Sequence, residues 1–190
     1  MEPSSITGLR LVEESEASGE VADIYAEAKR LMQTPFVPNM LKVIAISPAA
    51  LAIYWEAFRA FLQYSTLPQA LSAMILYAIA ERNHCQYCSA SHEMTCRALG
   101  IDEATLARLV NDLGNVSPER VREIIRFALK INSDPQGLVA RDYDRVRAVG
   151  VTDEEMVEII MLAAHGRMSD TLADGFKIKV DQAPAEALEF

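Results

Sequence analysis

The stretch Glu81-Arg-Asn-His-Cys-Gln-Tyr-Cys-Ser-Ala-Ser-His92 holds two cysteines, two histidines and a carboxylate. At about 100° per residue of an α-helix, Glu81, Cys88 and His92 all fall within roughly 60° of Cys85, so the four side chains would share one face. A dithiol followed one turn later by an imidazole indicates redox chemistry, because the thiolate is the reactive form and a positive surrounding lowers a thiol pKa from about 8.5. We therefore expect at least one of the two cysteines to be largely thiolate at pH 7.

A helix break is predicted at Asn83-His84, since asparagine tolerates the left-handed conformation in which helices end. A new helix would then begin near Cys85 and run to about Leu99, with Gly100 as its stop. Cysteines in a first turn face unpaired backbone N–H groups and the positive end of the helix dipole, which favour a thiolate. On a continuous helix the cysteines would lack this stabilisation of a thiolate, but the four side chains would still share one face.

Helical signals continue on both sides of this stretch. Ser47-Pro48 and Thr66-Leu67-Pro68 read as helix starts, and Thr152-Asp-Glu-Glu155 reads as a capping box. Apolar periodicity predicts helices over about 20–33, 39–46, 48–64, 68–81, 103–112, 118–131 and 138–148, and a last one after Thr152. The aromatic-rich helix 48–64 and the apolar run Met156–Ala164 are both expected to be buried. No run alternates as strands do, so the class is all-α with about eight helices.

Composition limits the function classes. A chain of 190 residues that is 51% hydrophobic predicts one domain over 1–190, with an N-terminal arm over 1–17. The net charge of −9 argues against a nucleic-acid partner. No apolar run reaches the roughly 18 residues of a membrane span, and Met1–Ser5 lacks signal-peptide features, so we expect a cytoplasmic protein with no membrane partner. In a reducing compartment, a Cys-x-x-Cys pair is redox-active or binds metal.

The chain resembles the carboxymuconolactone decarboxylase superfamily and is most similar to its alkyl hydroperoxidase D (AhpD)-like, peroxidase-related branch. The resemblance rests on Asn83-His-Cys-Gln-Tyr-Cys88 with His92, and more weakly on Phe36-Val-Pro-Asn39, Ala98-Leu-Gly100 and Ala173-Asp-Gly175. It covers most of the chain. It implies a single-domain, all-helical AhpD-like fold with the motif in a buried pocket, and assembly into a homotrimer or homohexamer.

The same resemblance implies a thiol-dependent peroxidase or disulfide oxidoreductase. Cys88, with His92 as base or thiolate partner, would attack a hydroperoxide and become a sulfenic acid, and Cys85 would close a disulfide that an external dithiol reduces. A disulfide substrate would be exchanged at the same pair. Helix-dipole reasoning instead favours Cys85 as the more acidic thiol, so both orders of attack stay open. No organic cofactor and no metal are expected.

Two positions depart from the family pattern. Ala73 stands where the pattern has a glutamate, and Tyr87 stands where it has a histidine. We expect Glu81 to supply the missing carboxylate and His84 the missing imidazole, which makes both candidate catalytic residues. Glu81 can reach His92 only if the chain reverses at Asn83-His84, because a straight helix would separate the two by about 16 Å.

Two alternatives use the motif differently. The chain could be an acid–base enzyme of the carboxymuconolactone decarboxylase kind, in which the cysteines are bystanders. It could also be a non-enzymatic metal-binding or oligomeric scaffold protein. Zinc requires four ligands, and closure of a site at Cys85, Cys88 and His92 would need one more residue from this set: His84, Cys96 or His165. Cys96 and His165 are otherwise expected to be buried structural residues.

Overall fold

The computed structural model describes residues 7–181, and all the regular structure in this range is helical. The α-helices are α1 (Glu20–Met32), α2 (Asn39–Ile44), α3 (Pro48–Tyr64), α4 (Gln69–Asn83), α5 (Gln86–Ala98), α6 (Glu103–Asn111), α7 (Glu119–Ser133), α8 (Ala140–Ala148) and α9 (Asp153–Phe176). Short 3-10 turns lie at Leu113–Asn115 and Pro135–Gly137. The all-α prediction is confirmed for this range, with nine α-helices where about eight were expected. Within the range, no helix has the length and apolarity needed to cross a membrane.

The described residues group into two units, 7–64 with 172–181, and 65–171. In the first unit, residues 8–13 are irregular, and residues 1–6 of the predicted N-terminal arm lie outside the described residues. The N–H of Val12 donates to the carbonyl oxygen of Lys42 at 3.0 Å, and the Tyr25 hydroxyl donates to the carbonyl oxygen of Val12 at 2.9 Å. These two bonds hold the irregular segment against α1 and the end of α2.

Helix α3 packs on α1 along a narrow face. Leu51 and Trp55 are its buried residues, and the Trp55 indole N–H donates to the Glu27 carboxylate at 2.8 Å. Ile53 and Tyr64 are 74% and 72% exposed. The prediction of a buried helix over 48–64 is therefore wrong for this chain by itself, because α1 and α2, the helices that contact α3 within its unit among the described residues, leave most of its surface exposed.

Helix α4 is the centre of the second unit. It contacts α5, α6 and α7, and each of its residues from Ala73 to Ala80 is buried. A helix that is buried all round needs no polar face, which explains its lack of amphipathic pattern. The inner faces of α7 and α9 add fully buried residues to this core, among them Ile124, Ile125, Ile159 and Leu162.

Helix α9 begins as the sequence predicted. The N–H of Thr152 donates to Glu155 at 2.9 Å and the N–H of Glu155 donates to Thr152 at 3.1 Å, which completes the capping box. The helix is not buried all round, however, since Val157 and Met161 are 61% and 57% exposed. The expectation that Met156–Ala164 is fully buried is thus wrong for this chain by itself, because the described residues 7–181 leave one face of α9 uncovered.

Candidate functional site

The chain reverses between α4 and α5, at the predicted break. Helix α4 ends at Asn83, and His84 follows in the left-handed conformation with φ 58°. The N–H of Cys85 donates back to the carbonyl oxygen of Ala80 at 3.1 Å, which closes the end of α4. The prediction of a break is confirmed, although the left-handed residue is His84 and not Asn83.

Cys85 is the N-cap residue of α5. Its sulfur accepts a hydrogen bond from the N–H of Cys88 at 3.4 Å, in the place where a serine or aspartate oxygen usually caps a helix. The Cys85 sulfur thus lies at the N-terminal end of α5, where the first-turn N–H groups of the helix are directed. Cys85 is fully buried and Cys88 is 2% exposed, so both sulfurs are shielded from solvent.

Asp170 of α9 is the third member of the cluster. Its carboxylate and the sulfurs of Cys85 and Cys88 all lie within 4.8 Å of one another, and all three residues are buried. The hydrogen bond between the two cysteines, burial, and hydrogen bonding to Asp170 together hold the pKa of Cys88 far above its ordinary value. Cys88 therefore keeps its proton at neutral pH and shares it with an acceptor on either side.

Two asparagines orient the Asp170 carboxylate. The side-chain amide of Asn83 donates to Asp170 Oδ2 at 2.7 Å. Asn83 and Asn132 exchange hydrogen bonds with each other, at 3.1 and 2.8 Å. Asn132, on α7, is 2% exposed. This amide pair therefore links the ends of α4 and α7 to α9 at the dithiol.

Gly166 allows α9 to lie close to α4 one turn before Asp170. A Cβ at this position would meet Leu76 Cδ2 at 3.1 Å and Ile79 Cγ2 at 3.4 Å, which is tighter than ordinary contact. Ile79 on α4 thus faces Gly166 on α9. Four residues further along each helix, Asn83 faces Asp170. The small residue sets the helix spacing that brings Asp170 to the dithiol.

Two histidines of the second unit are neutral at pH 7. Burial, and the charge of nearby His165, lower the pKa of His92 to about 4, and burial lowers the pKa of His165 to about 4. His92 is half-buried and lies one turn after Cys88 on α5. A neutral imidazole at His92 supplies no positive charge that would acidify a neighbouring thiol, and the role of His92 as a base stays a prediction.

The remaining predicted residues lie outside the three-membered cluster. Glu81 is half-buried near the end of α4, and His84 is exposed at the helix end. Cys96 is fully buried, and burial, followed by the charge of Glu93, raises its pKa to about 12, as expected of a structural thiol. His165 is buried, as predicted. The roles proposed for Glu81 and His84 stay predictions.

The cluster offers three metal ligands, two thiolates and one carboxylate. A structural zinc site takes four protein ligands, and a catalytic site takes three and a water. Among the described residues, Asp170 joins the two cysteines in place of the predicted third ligand His92, and the candidates for a fourth ligand, His84, Cys96 and His165, are not part of this group.

Comparison with solved protein structures identifies the fold. No protein-family model and no curated protein matches the chain. The structure is similar to that of an uncharacterized peroxidase-related protein from Ralstonia eutropha JMP134, described as an alkylhydroperoxidase AhpD core, with a TM-score of 0.81, 22% identity and 90% of each chain covered. A peroxidase-related protein from Silicibacter sp. TM1040 gives 0.80, with 21% identity over 98% of this chain and 94% of that chain. The chain has the AhpD-like fold.

A third protein with the AhpD-like fold carries a defined activity. The debrominase Bmp8, solved with 2,3,4-tribromopyrrole in a variant that replaces a cysteine by alanine, gives a TM-score of 0.79 at 15% identity, with 95% of each chain covered. The fold is therefore not restricted to proteins described as peroxidase-related.

Asp170 is the member of the site that the sequence did not reveal. It lies 87 residues after Asn83, its hydrogen-bond partner, outside the motif that the resemblance matched. The one available signal was a carboxylate on the inner side of an apolar helix, between the buried Leu162 and Ala173. Burying an acid without a polar partner costs free energy of folding. An acid on the buried side of a helix therefore indicates that a polar partner or a functional site lies next to it.

Proposed function

We propose that the protein is a dithiol oxidoreductase that reduces hydroperoxides, with Cys85 and Cys88 as its redox pair. The observation that supports this most directly is the pairing of a helix-capping sulfur, Cys85, with a neighbouring thiol that keeps its proton, Cys88. Such a pair contains both the nucleophile and the resolving group of a two-cysteine reaction. The peroxidase-related descriptions of two proteins with this fold agree with the assignment.

The proposed reaction assigns the first attack to Cys85. Its thiolate attacks a peroxide oxygen, the O–O bond breaks, and an alcohol leaves once the alkoxide has taken a proton. The sulfenic acid on Cys85 then reacts with the Cys88 thiol to give a disulfide and water. An external dithiol reduces the disulfide and becomes oxidised itself. This order reverses the roles that the family resemblance implies, because Cys88 is held as a thiol.

His92 has a supporting role in this proposal. As a neutral imidazole next to the second cysteine along α5, it can accept or relay a proton near the leaving alkoxide. Assembly into a homotrimer or homohexamer also belongs to the proposal, since the exposed apolar faces of α3 and α9 need cover. No organic cofactor and no nucleic acid takes part.

Turnover with an organic hydroperoxide tests the function. With tert-butyl hydroperoxide and dithiothreitol, we expect catalytic loss of peroxide that is abolished in Cys85→Ser and in Cys88→Ser. Cys96→Ser is the matched control, since Cys96 is equally buried but lies outside the cluster. Peroxide loss at the rate of dithiothreitol alone, or full activity in either motif variant, contradicts the proposal.

The similarity to debrominase Bmp8 supports a second candidate, reductive dehalogenation by the same dithiol. Here the cysteine pair would supply two electrons, replacing a carbon–bromine bond by carbon–hydrogen and releasing bromide and a proton as the disulfide forms. Incubation with 2,3,4-tribromopyrrole and dithiothreitol tests it. Release of bromide that requires Cys85 and Cys88, without peroxide turnover, would favour this reaction over the first.

A further inference from the structure

We infer that Asp170 is the proton acceptor for Cys88 when the disulfide closes, and the proton donor when it is reduced, with Asn83 and Asn132 as positioning residues. This deepens the proposed function and rests on it. The inference assigns a catalytic group that comes from α9, outside the cysteine motif. It also gives the site a carboxylate at a different position in the chain from Ala73, where the family pattern has one.

The proton on Cys88 has to leave before the disulfide can close. Closing the disulfide requires the Cys88 sulfur to attack an electrophilic sulfur on Cys85, and a thiol must lose its proton to do so. Cys88 is 2% exposed, so bulk water is not at hand to take that proton. The buried Asp170 carboxylate, which lies within 4.8 Å of both sulfurs, is a base in the same cluster.

The surroundings of Asp170 suit transfer of a proton. Asn83 donates to one carboxylate oxygen at 2.7 Å, and the reciprocal bonds between Asn83 and Asn132 hold that amide in one orientation. Arg167, one turn before Asp170, donates to the backbone carbonyl oxygen of Asn132, which ties the end of α7 to α9 beside the amide pair. Among the described residues, Asp170 is the titratable group that acts on Cys88 besides Cys85 itself.

The step balances within the site. As the Cys88 sulfur forms its bond to Cys85, the Cys88 proton passes to Asp170, and the S–O bond of the sulfenic acid breaks. The departing hydroxide takes a proton to become water, and Asp170 can return the one it holds. In the reverse direction, an external dithiol attacks the Cys85 sulfur, and Cys88 leaves as a thiolate that is protonated by Asp170.

Asp170→Asn tests the inference, because asparagine keeps the shape and still accepts a bond from Asn83. Diamide is the oxidant, since it adds to the Cys85 thiolate without peroxide chemistry and leaves Cys88 to displace the hydrazine. We expect closure to slow by roughly 10²-fold, the usual effect of losing a positioned proton-transfer group. In the variant the rate should also rise about tenfold per pH unit between pH 6 and 8, because hydroxide must then remove the proton. The wild type should show a weaker dependence.

Asp174→Asn is the matched control, an exposed aspartate one turn further along α9, and it should behave as wild type. Asn83→Ala tests positioning: closure should slow by about tenfold with an unchanged pH slope, since the base remains but is less well oriented. If Asp170→Asn does not fold, the rate of disulfide closure in Asn83→Ala tests the inference by itself. Wild-type closure rates in both variants overturn the inference. Failure of hydroperoxide to oxidise Cys85 while diamide still does would instead overturn the proposed peroxidase function.

Discussion

The backbone N–H of Cys88 donates to the sulfur of Cys85 at 3.4 Å, so that one motif cysteine caps the helix that carries the other. This bond makes the two sulfurs chemically unequal although both are buried. Cys85 faces the positive helix end, whereas Cys88 faces a sulfur and a carboxylate and keeps its proton. The division of roles between the cysteines follows from this inequality.

The order of attack can be tested by trapping the first intermediate. With Cys88→Ser, a hydroperoxide should leave a sulfenic acid on Cys85 that dimedone labels, since no resolving thiol remains. With Cys85→Ser, labelling of Cys88 should be at least about tenfold slower, because burial and Asp170 still raise the pKa of that thiol in this variant. Mass spectrometry of the labelled peptides gives both rates. Faster labelling of Cys88 would restore the order that the family resemblance implies.

Glu81 and Asp170 are competing candidates for the catalytic carboxylate. The Glu81 hypothesis needs the helix break, which is present, and predicts that Glu81→Gln and His92→Asn each slow peroxide-dependent oxidation by roughly 10²-fold. The cluster geometry predicts a loss of that size for Asp170→Asn and less than about threefold for Glu81→Gln. His84→Asn should likewise stay near wild type, because His84 is exposed. Stopped-flow oxidation of the variants at one pH compares them directly.

Stability should fall between pH 7 and pH 5 because of two histidines. Folding lowers the pKa of His92 and His165 from 6.5 to about 4, so the unfolded state binds protons first as the pH drops. The contribution of the two histidines to the free energy of unfolding is complete above about pH 6.5 and is lost toward pH 4. Between pH 7 and pH 5 the loss amounts to about 2 to 4 kcal/mol. Urea unfolding at each pH measures it.

His92→Gln should flatten that pH dependence, whereas His84→Asn should not, because the third histidine is exposed. Carboxylates with lowered pKa, such as Glu155 and Glu158, contribute mainly below their usual value of 4.5, outside this window. An equal pH dependence in wild type and His92→Gln would show that His92 is not the group responsible.

Much of the site could be predicted from sequence because it is local. The break after Asn83, the helix start near Cys85 and the helix end before Gly100 all depend on neighbouring residues, and the structure has them within a residue or two of the predicted positions. Asp170 depends on the approach of α9 to α4 at Gly166, a tertiary contact that no local pattern encodes. The apolar helix 48–64 and the run Met156–Ala164 likewise indicate faces that need cover, but apolarity does not show what covers them.

The exposed face of α9 predicts self-assembly. Val157, Met161, Ala164 and Met168 recur at helical spacing and are all exposed. Burying such a stripe against further copies is favourable by about 25 cal/mol per Å² of apolar surface. We expect a homotrimer or homohexamer by light scattering at micromolar concentration, and a monomer for Val157→Glu combined with Met161→Glu.

Asp144→Lys, a charge change at an exposed position on α8, is the control for that experiment and should keep the wild-type mass. A monodisperse monomer for the wild-type chain would remove assembly from the proposal. It would leave the chemistry of the cysteine pair unaffected, because all members of the cluster come from one chain.

The central claim about this protein is that Cys85 and Cys88 are a working redox pair. Treating the reduced protein with one equivalent of tert-butyl hydroperoxide, then counting free thiols and mapping the disulfide by mass spectrometry, tests this claim directly. The account predicts that the free thiols fall from three to one per chain, with a Cys85–Cys88 disulfide and Cys96 still reduced. Three free thiols after complete mixing, or a disulfide that includes Cys96, would contradict it.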